Sequence, residues 1–232
     1  MIRAVLLDIE GTTTSLSFVH DILFPYAAAH LADFVRRHRD DPEVARLLAD
    51  ARAYAGGDLD DEALIERMLA WIEADQKITP LKALQGMIWE NGYREGHFHG
   101  HLYPDVAPAL RRWQAAGLRL YVFSSGSVHA QKLLFGHTEA GDLNPLFSGY
   151  FDTRIGGKRD ADSYRRIAAE IGCAPEEILF LSDRPEELDA AAQVRLATGA
   201  VLRDGVQGPF VAHPTAADFD RLGLPARTGA MH

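Results

Sequence analysis

Two carboxylates, a serine pair and a lysine each stand where an apolar run of this chain ends or a glycine turn opens. Asp8 directly follows Val5-Leu6-Leu7 and begins Asp8-Ile9-Glu10-Gly11-Thr12-Thr13-Thr14. A carboxylate at the first residue past a buried strand is held on a rigid element, at the end of an open α/β sheet where ligands bind. Gly11 lets the backbone turn sharply, and the threonines offer hydroxyls and N–H groups to an anion. Ser124-Ser125-Gly126-Ser127 closes a second run, Leu120-Tyr121-Val122-Phe123, and small hydroxyls ahead of a new helix suit a phosphate oxygen. Lys158 sits on the turn Gly156-Gly157-Lys158, and Asp183 ends Ile178-Leu179-Phe180-Leu181-Ser182. Taken singly, each has a bland reading: an acidic turn, a serine helix cap, a solvated lysine. Glu186, Glu187 and Asp189, just after Asp183, fit a helix start whose dipole favours acids. Together, hydroxyls suited to a phosphate oxygen, a lysine and two carboxylates form a set that could act on a phosphate ester. A doubly anionic monoester repels a carboxylate nucleophile, so attack by Asp8 requires a cation, and Mg²⁺ with oxygen ligands is the natural choice. Asp8 and Asp183 can share that ion if their strands are neighbours.

The elements that must position these groups are short continuous apolar runs, the mark of parallel strands buried on both faces. They are Ala4–Leu7, Leu118–Phe123, Ile178–Leu181 and Ala200–Leu202, with a weaker run at Tyr150–Phe151. Helical patterns lie between them, such as Asp105–Ala116 closed by Gly117 and Ala161–Ile171 closed by Gly172. Alternating strand and helix predicts an α/β, doubly wound parallel sheet. From Ser17 to Gly100 the alternation stops, and the chain reads as helices over Val19–Arg37, Pro42–Ala53, Asp60–Lys77 and Thr79–Asn91. Thr79 supplies a capping hydroxyl and Pro80 the first helical position of the last of these. The expected organisation is a core of residues 1–16 and 101–232, with an inserted all-helical cap domain over 17–100. The tail Ala226–His232 carries little that could pack and is expected to fray.

Composition narrows the partners. The chain has 232 residues, 47% hydrophobic and 25% charged, enough for a sizeable buried core. Its 24 Lys and Arg against 33 Asp and Glu give a formal charge of −9, which argues against nucleic acid or an anionic membrane as partner. Cys173 is the only cysteine, so no intramolecular disulfide or cysteine-based zinc site can form. The N-terminus lacks the apolar stretch of a signal peptide, and no run approaches the ~20 residues of a membrane span. A soluble cytoplasmic protein is expected.

The ordered motifs resemble the haloacid dehalogenase superfamily of phosphotransferases, whose members insert helical caps after the first strand. Glu10 departs from the superfamily's common Asp two residues after the nucleophile. Asp8-Ile9-Glu10-Gly11-Thr12-Thr13, Leu84-Gln85-Gly86-Met87-Ile88-Trp89 and Gly100-His101-Leu102-Tyr103-Pro104-Asp105-Val106 are similar to the enolase-phosphatase (acireductone synthase) family of methionine salvage. Leu179-Phe180-Leu181-Ser182-Asp183 and Glu187-Leu188-Asp189-Ala190-Ala191 match as well.

The resemblance implies a Mg²⁺-dependent enzyme acting on a small phosphorylated diketone, 2,3-diketo-5-methylthiopentyl-1-phosphate, as a monomer. It implies Asp8 as nucleophile, Asp8, Glu10 and Asp183 at the metal, and Ser124, Ser125 and Lys158 on the phosphate. Glu10 would join the metal site through its backbone carbonyl, leaving its carboxylate for proton transfer. The family's second reaction, enolisation, needs a base near the carbon beside a carbonyl and an electrophile on the oxygen. Glu10 is the candidate base, with Mg²⁺ or Lys158 as electrophile. Met87, Ile88, Trp89 and Phe98 are candidates for the methylthio tail, against the alternative that they simply build the cap's core.

Two rivals remain open: a phosphatase of the same superfamily without enolisation, and an idle phosphate-binding scaffold. One further cluster, His97, His99 and His101, would face one way on an extended strand and suggest a metal site. Its flanking glycines and its place on the return from the cap favour a linker.

Overall fold

The computed structural model describes residues 1–203 and 210–224, and the tail expected to fray lies outside them. The chain divides into two compact units, one of Met1–Leu16 with Gly100–His232 and one of Ser17–His99.

The first unit is a parallel sheet of six strands in the order β3-β2-β1-β4-β5-β6. These are β1 (Ala4–Leu7), β2 (Arg119–Phe123), β3 (Phe147–Phe151), β4 (Ile178–Ser182), β5 (Ala197–Val201) and β6 (Thr215–Ala216). All four side chains of β1 are buried, as a central strand covered on both faces requires. Alternate residues feed opposite layers. Leu6, Phe123 and Phe180 pack with Tyr164 and Leu188 on one side, while Val5, Leu7, Leu120 and Leu181 pack with Leu110 and Trp113 on the other. The helices of those layers are α5 (Val106–Ala115), α7 (Ala161–Ile171) and α8 (Pro185–Gln193), with α6 (Val128–Gly136) following β2.

The doubly wound sheet expected from the apolar runs is therefore present, with two differences at the β5 edge. β5 begins at Ala197, ahead of the expected Ala200, because Thr198 and Gly199 interrupt the apolar run that marks it. β6 is two residues long, too short to carry any periodicity.

The second unit is helical. Residues Phe18–Leu23 form a π-helical turn that runs into α1 (Phe24–His38), followed by α2 (Pro42–Ala55), α3 (Asp61–Glu73) and α4 (Thr79–Glu95). The single helix expected over Val19–Arg37 thus changes pitch, and Pro25, which has no N–H to donate into the preceding turn, marks the change. Asp60 caps α3 by accepting from the Ala63 N–H at 2.8 Å, and the left-handed Asp75 follows that helix's end. Thr79 is not a cap: it is the first helical residue, and Ile78 precedes it without a side-chain bond. Leu31, Leu48, Leu64, Met68, Leu81 and Leu84 form this unit's own core. Among the described residues no helix is long and apolar enough to cross a membrane.

Candidate active site

β1 is the pivot of the sheet, paired with β2 on one side and β4 on the other. Leu7 pairs with both Val122 and Leu181, so the chains leave the sheet at the same level. Asp8, Ser124 and Asp183 therefore emerge at adjacent carboxyl ends, the position at which open α/β sheets bind ligands.

Asp8 is buried and its carboxylate is fully engaged. Oδ1 accepts from the Lys158 ammonium at 2.5 Å and the Ile9 N–H at 2.6 Å, and Oδ2 accepts from the Ser182 hydroxyl at 3.0 Å. Lys158 also contacts Glu187 Oε2 at 2.7 Å, and that carboxylate accepts from Ser182 Oγ at 3.2 Å. Burial works against the Lys158 charge, but Asp8 and Glu187 together outweigh it and raise the ammonium's pKa. For Glu187 the balance runs the other way: burial and the Asp8 charge push the carboxyl up despite Lys158. The lysine itself is delivered by a pinned loop. Tyr164 donates to the Lys158 carbonyl and Ser163 to the Gly157 carbonyl, each at 2.7 Å from α7.

The loop after β1 folds on itself around one carbonyl, since the N–H groups of Thr12, Thr13 and Thr14 all reach Ile9 O. Gly11 has φ +75°, and a Cβ there would collide with the Asp183 carboxylate. Glycine is thus required twice, for the left-handed turn and for the approach of Asp183. Asp183 is pushed up to about 6 by burial and then by the nearby Asp8 charge. Its Oδ1 is buried with no hydrogen-bond partner among the described residues. A buried carboxylate oxygen without a donor, beside a second carboxylate, is suited to a hard cation with oxygen ligands. No group of three His, Cys, Asp or Glu gathers among the described residues. Two carboxylates suffice for Mg²⁺, which keeps several waters and substrate phosphate oxygens as ligands.

Ser124 lies at the end of β2, with its hydroxyl accepting from the Gly126 N–H at 3.1 Å, and Ser125 is half-buried beside it. Gln131 of α6 braces this turn, donating from Nε2 to the carbonyls of Gly126 and Phe151 at 2.9 Å each. Glu10 is half-buried and its backbone bridges to Thr14 across the loop after β1.

Two of the histidines at 97, 99 and 101 have partners of their own. Within the first unit, His101 Nδ1 accepts from the Ser15 N–H at 3.2 Å and sits 3.0 Å from the Thr14 hydroxyl. Within the second, His97 Nδ1 lies 2.9 Å from the Tyr26 hydroxyl. Ile88 and Trp89 are buried in the helical unit, where the Trp89 indole donates to the Leu23 carbonyl at 2.8 Å. Met87 is half-buried against the same helical core, and Phe98 packs on Tyr26 and Tyr93.

The model of the haloacid dehalogenase-like hydrolases matches residues 2–195. The chain belongs to the haloacid dehalogenase-like hydrolases. Over 97% of its length the hydrolase is 66% identical to the whole of an enolase-phosphatase of Thioalkalivibrio sulfidiphilus. It is 59% identical over 96% of its length to one of Methylococcus capsulatus, covering 98% of that protein. Among solved structures it is similar to the Unknown transcript 4 protein of Saccharomyces cerevisiae, with TM-score 0.81 and 36% identity over 96% of this chain and 100% of that one. The hydrolase is a phosphatase of the enolase-phosphatase family.

Several groups around the hydrolase's site carry no role among the sequence expectations. Glu187 reads as a helix-start acid, although its place four residues after Asp183 puts it one turn into α8. Ser182 reads as the last strand residue, and Gln131 as an ordinary helix residue, although it bonds the turn five residues before it and the end of β3 twenty residues after it.

Proposed function

We propose that the chain is a Mg²⁺-dependent, bifunctional enolase-phosphatase that converts 2,3-diketo-5-methylthiopentyl-1-phosphate to the acireductone and phosphate in methionine salvage, as a cytoplasmic monomer. The observation that carries the reading is Asp8, held by Lys158 and Ser182 at the central strand's end, with the donor-free Asp183 oxygen at the neighbouring strand.

Asp8, Asp183 and the Glu10 carbonyl would hold Mg²⁺, which when bound screens the repulsion between carboxylate and phosphate. The Asp8 carboxylate attacks phosphorus, the P–O bond to the leaving oxygen breaks, and an aspartyl-phosphate forms. The Glu10 carboxyl gives a proton to the leaving oxygen and then takes one from the water that hydrolyses the aspartyl ester. Ser124, Ser125 and Lys158 hold the non-bridging oxygens and offset the charge of the transferring group. In the preceding enolisation Glu10 removes the proton beside the carbonyl, and Lys158 offers the electrophile. The helical unit acts as a cap, with Met87 and Phe98 as the tail candidates left outside its buried core.

The test is incubation with the diketo phosphate or its desthio analogue and Mg²⁺, following phosphate and the ultraviolet band of the enediol. Phosphate release with no enol or enediol band at any time assigns the chain to a phosphatase without enolisation. Asp8→Asn and Asp183→Asn are each expected to abolish phosphate release while the protein stays folded. A wild type that releases no phosphate from any monoester would leave only a scaffold role.

A further inference from the structure

The return motif Leu102-Tyr103-Pro104-Asp105-Val106 takes no part in the chemistry above, yet its carboxylate lies in a built arrangement behind the nucleophile loop. Arg203, two residues beyond β5, donates from both terminal nitrogens to the two oxygens of Asp105 at 2.8 and 2.9 Å. Its Nε donates to the carbonyl of Thr12 at 3.0 Å. The guanidinium is buried, with the rings of Tyr103 and Phe219 at 4.3 and 5.1 Å from it. Asp105 is fixed in turn by the Phe219 N–H at 2.7 Å, and the Tyr103 N–H donates to the Thr13 carbonyl at 3.0 Å. The carbonyls of Thr12 and Thr13, in the turn that follows Asp8, are therefore each held by a donor from outside the turn. A buried ion pair is an inefficient source of stability, because desolvation consumes most of its attraction. A planar fork bonded on three nitrogens, one aimed at a single carbonyl, is instead a device for geometry.

We propose that Arg203, oriented by Asp105, is a positioning residue for the nucleophile: by fixing the Thr12 carbonyl it sets the turn from Ile9 to Thr14 and with it the aim of the Asp8 carboxylate. The inference rests on the phosphatase reading above.

The experiment compares wild type, Arg203→Lys and Asp105→Asn in phosphate release with Mg²⁺, using p-nitrophenyl phosphate as the monoester, beside thermal melts of each. Lysine keeps the charge and loses the fork. In a folded Arg203→Lys the expected result is a fall in kcat on the order of tenfold to a hundredfold, with KM little changed, as misaimed reacting groups produce. Asp105→Asn, which weakens the fork's anchor, is expected to show the same split. Partial recovery of Arg203→Ala by added guanidinium ion would support the positioning role directly. A lowered melting temperature with wild-type kcat below the melt, in whichever variant folds, overturns the proposal and leaves a structural brace. A wild type inactive on this and every other monoester overturns the phosphatase reading and the inference with it, whereas an active wild type with unaffected variants removes the inference alone.

Discussion

The ammonium of Lys158 stands 2.5 Å from Asp8 Oδ1 and 2.7 Å from Glu187 Oε2, one cation between two buried carboxylates that also share the Ser182 hydroxyl. The lysine therefore has two separable duties. It neutralises carboxylates that would otherwise repel each other, and in the proposed reaction it presents positive charge to the transferring phosphoryl group.

Replacing Lys158 with Met removes both duties. Phosphate release is expected to fall by about a hundredfold or more, on the scale of losing one preorganised charge donor. Breaking a buried pair from one side costs about 3–5 kcal/mol, so the melt at pH 8 should drop as well. A Lys158→Met protein with wild-type turnover would show that the ammonium is only a structural counter-ion.

The metal-free protein should lose stability as pH rises through about 6. Asp183 is pushed up to about 6 and Glu187 is raised, so the folded state retains protons that the unfolded chain has already released. Their stabilising contribution is full below about pH 4 and is lost progressively as pH rises to those values, by about 3 kcal/mol in all for Asp183 alone. Denaturant melts at pH 4 and pH 8, with chelator, measure the difference. Asp183→Asn should flatten it, and Mg²⁺ should raise the melting temperature more at pH 8 than at pH 5, because binding requires the ionised carboxylate.

Gly11→Ala should damage fold and site together. The left-handed backbone costs a non-glycine residue about 1–2 kcal/mol, and the new methyl would displace the Asp183 carboxylate. The expected outcome is a modest fall in melting temperature together with a large fall in Mg²⁺-dependent turnover. Equal Mg²⁺ dependence in mutant and wild type would mean that Asp183 tolerates the shift.

Gln131→Leu removes the side-chain donor to the Gly126 carbonyl and leaves the Phe151 carbonyl with only the Ser124 N–H. Losing these two bonds costs about 1 kcal/mol each, and the serine turn loosens. KM for a phosphomonoester should rise more than kcat falls, if the turn holds the phosphate in ground and transition states alike. Unchanged KM would detach Gln131 from substrate binding.

What could be read from the chain and what could not follows from the range of each interaction. β1 and α7 coincide with their expected ranges because continuous apolar runs and glycine stops are local signals. Asp8 and Asp183 stood out as polar residues ending such runs, and Lys158 by its glycine turn. Arg203 was invisible because its partners Thr12 and Asp105 are joined only by the fold. Glu187 was visible but ambiguous, since a helix start attracts acids whether or not a lysine waits opposite. Thr79 misled for the opposite reason: a good capping residue stood one position too late, after Ile78.

His101 touching Thr14 and Ser15 has a consequence for how this protein can change. Within the α/β unit, the residues on either side of the helical insertion are already hydrogen-bonded neighbours, so the gap left by removing Ser17–His99 is one that a short linker can close. The catalytic strand ends keep their own fastening whatever is spliced between them. The insertion point is thus a socket, at which one insert can be exchanged for another without unfastening the α/β unit.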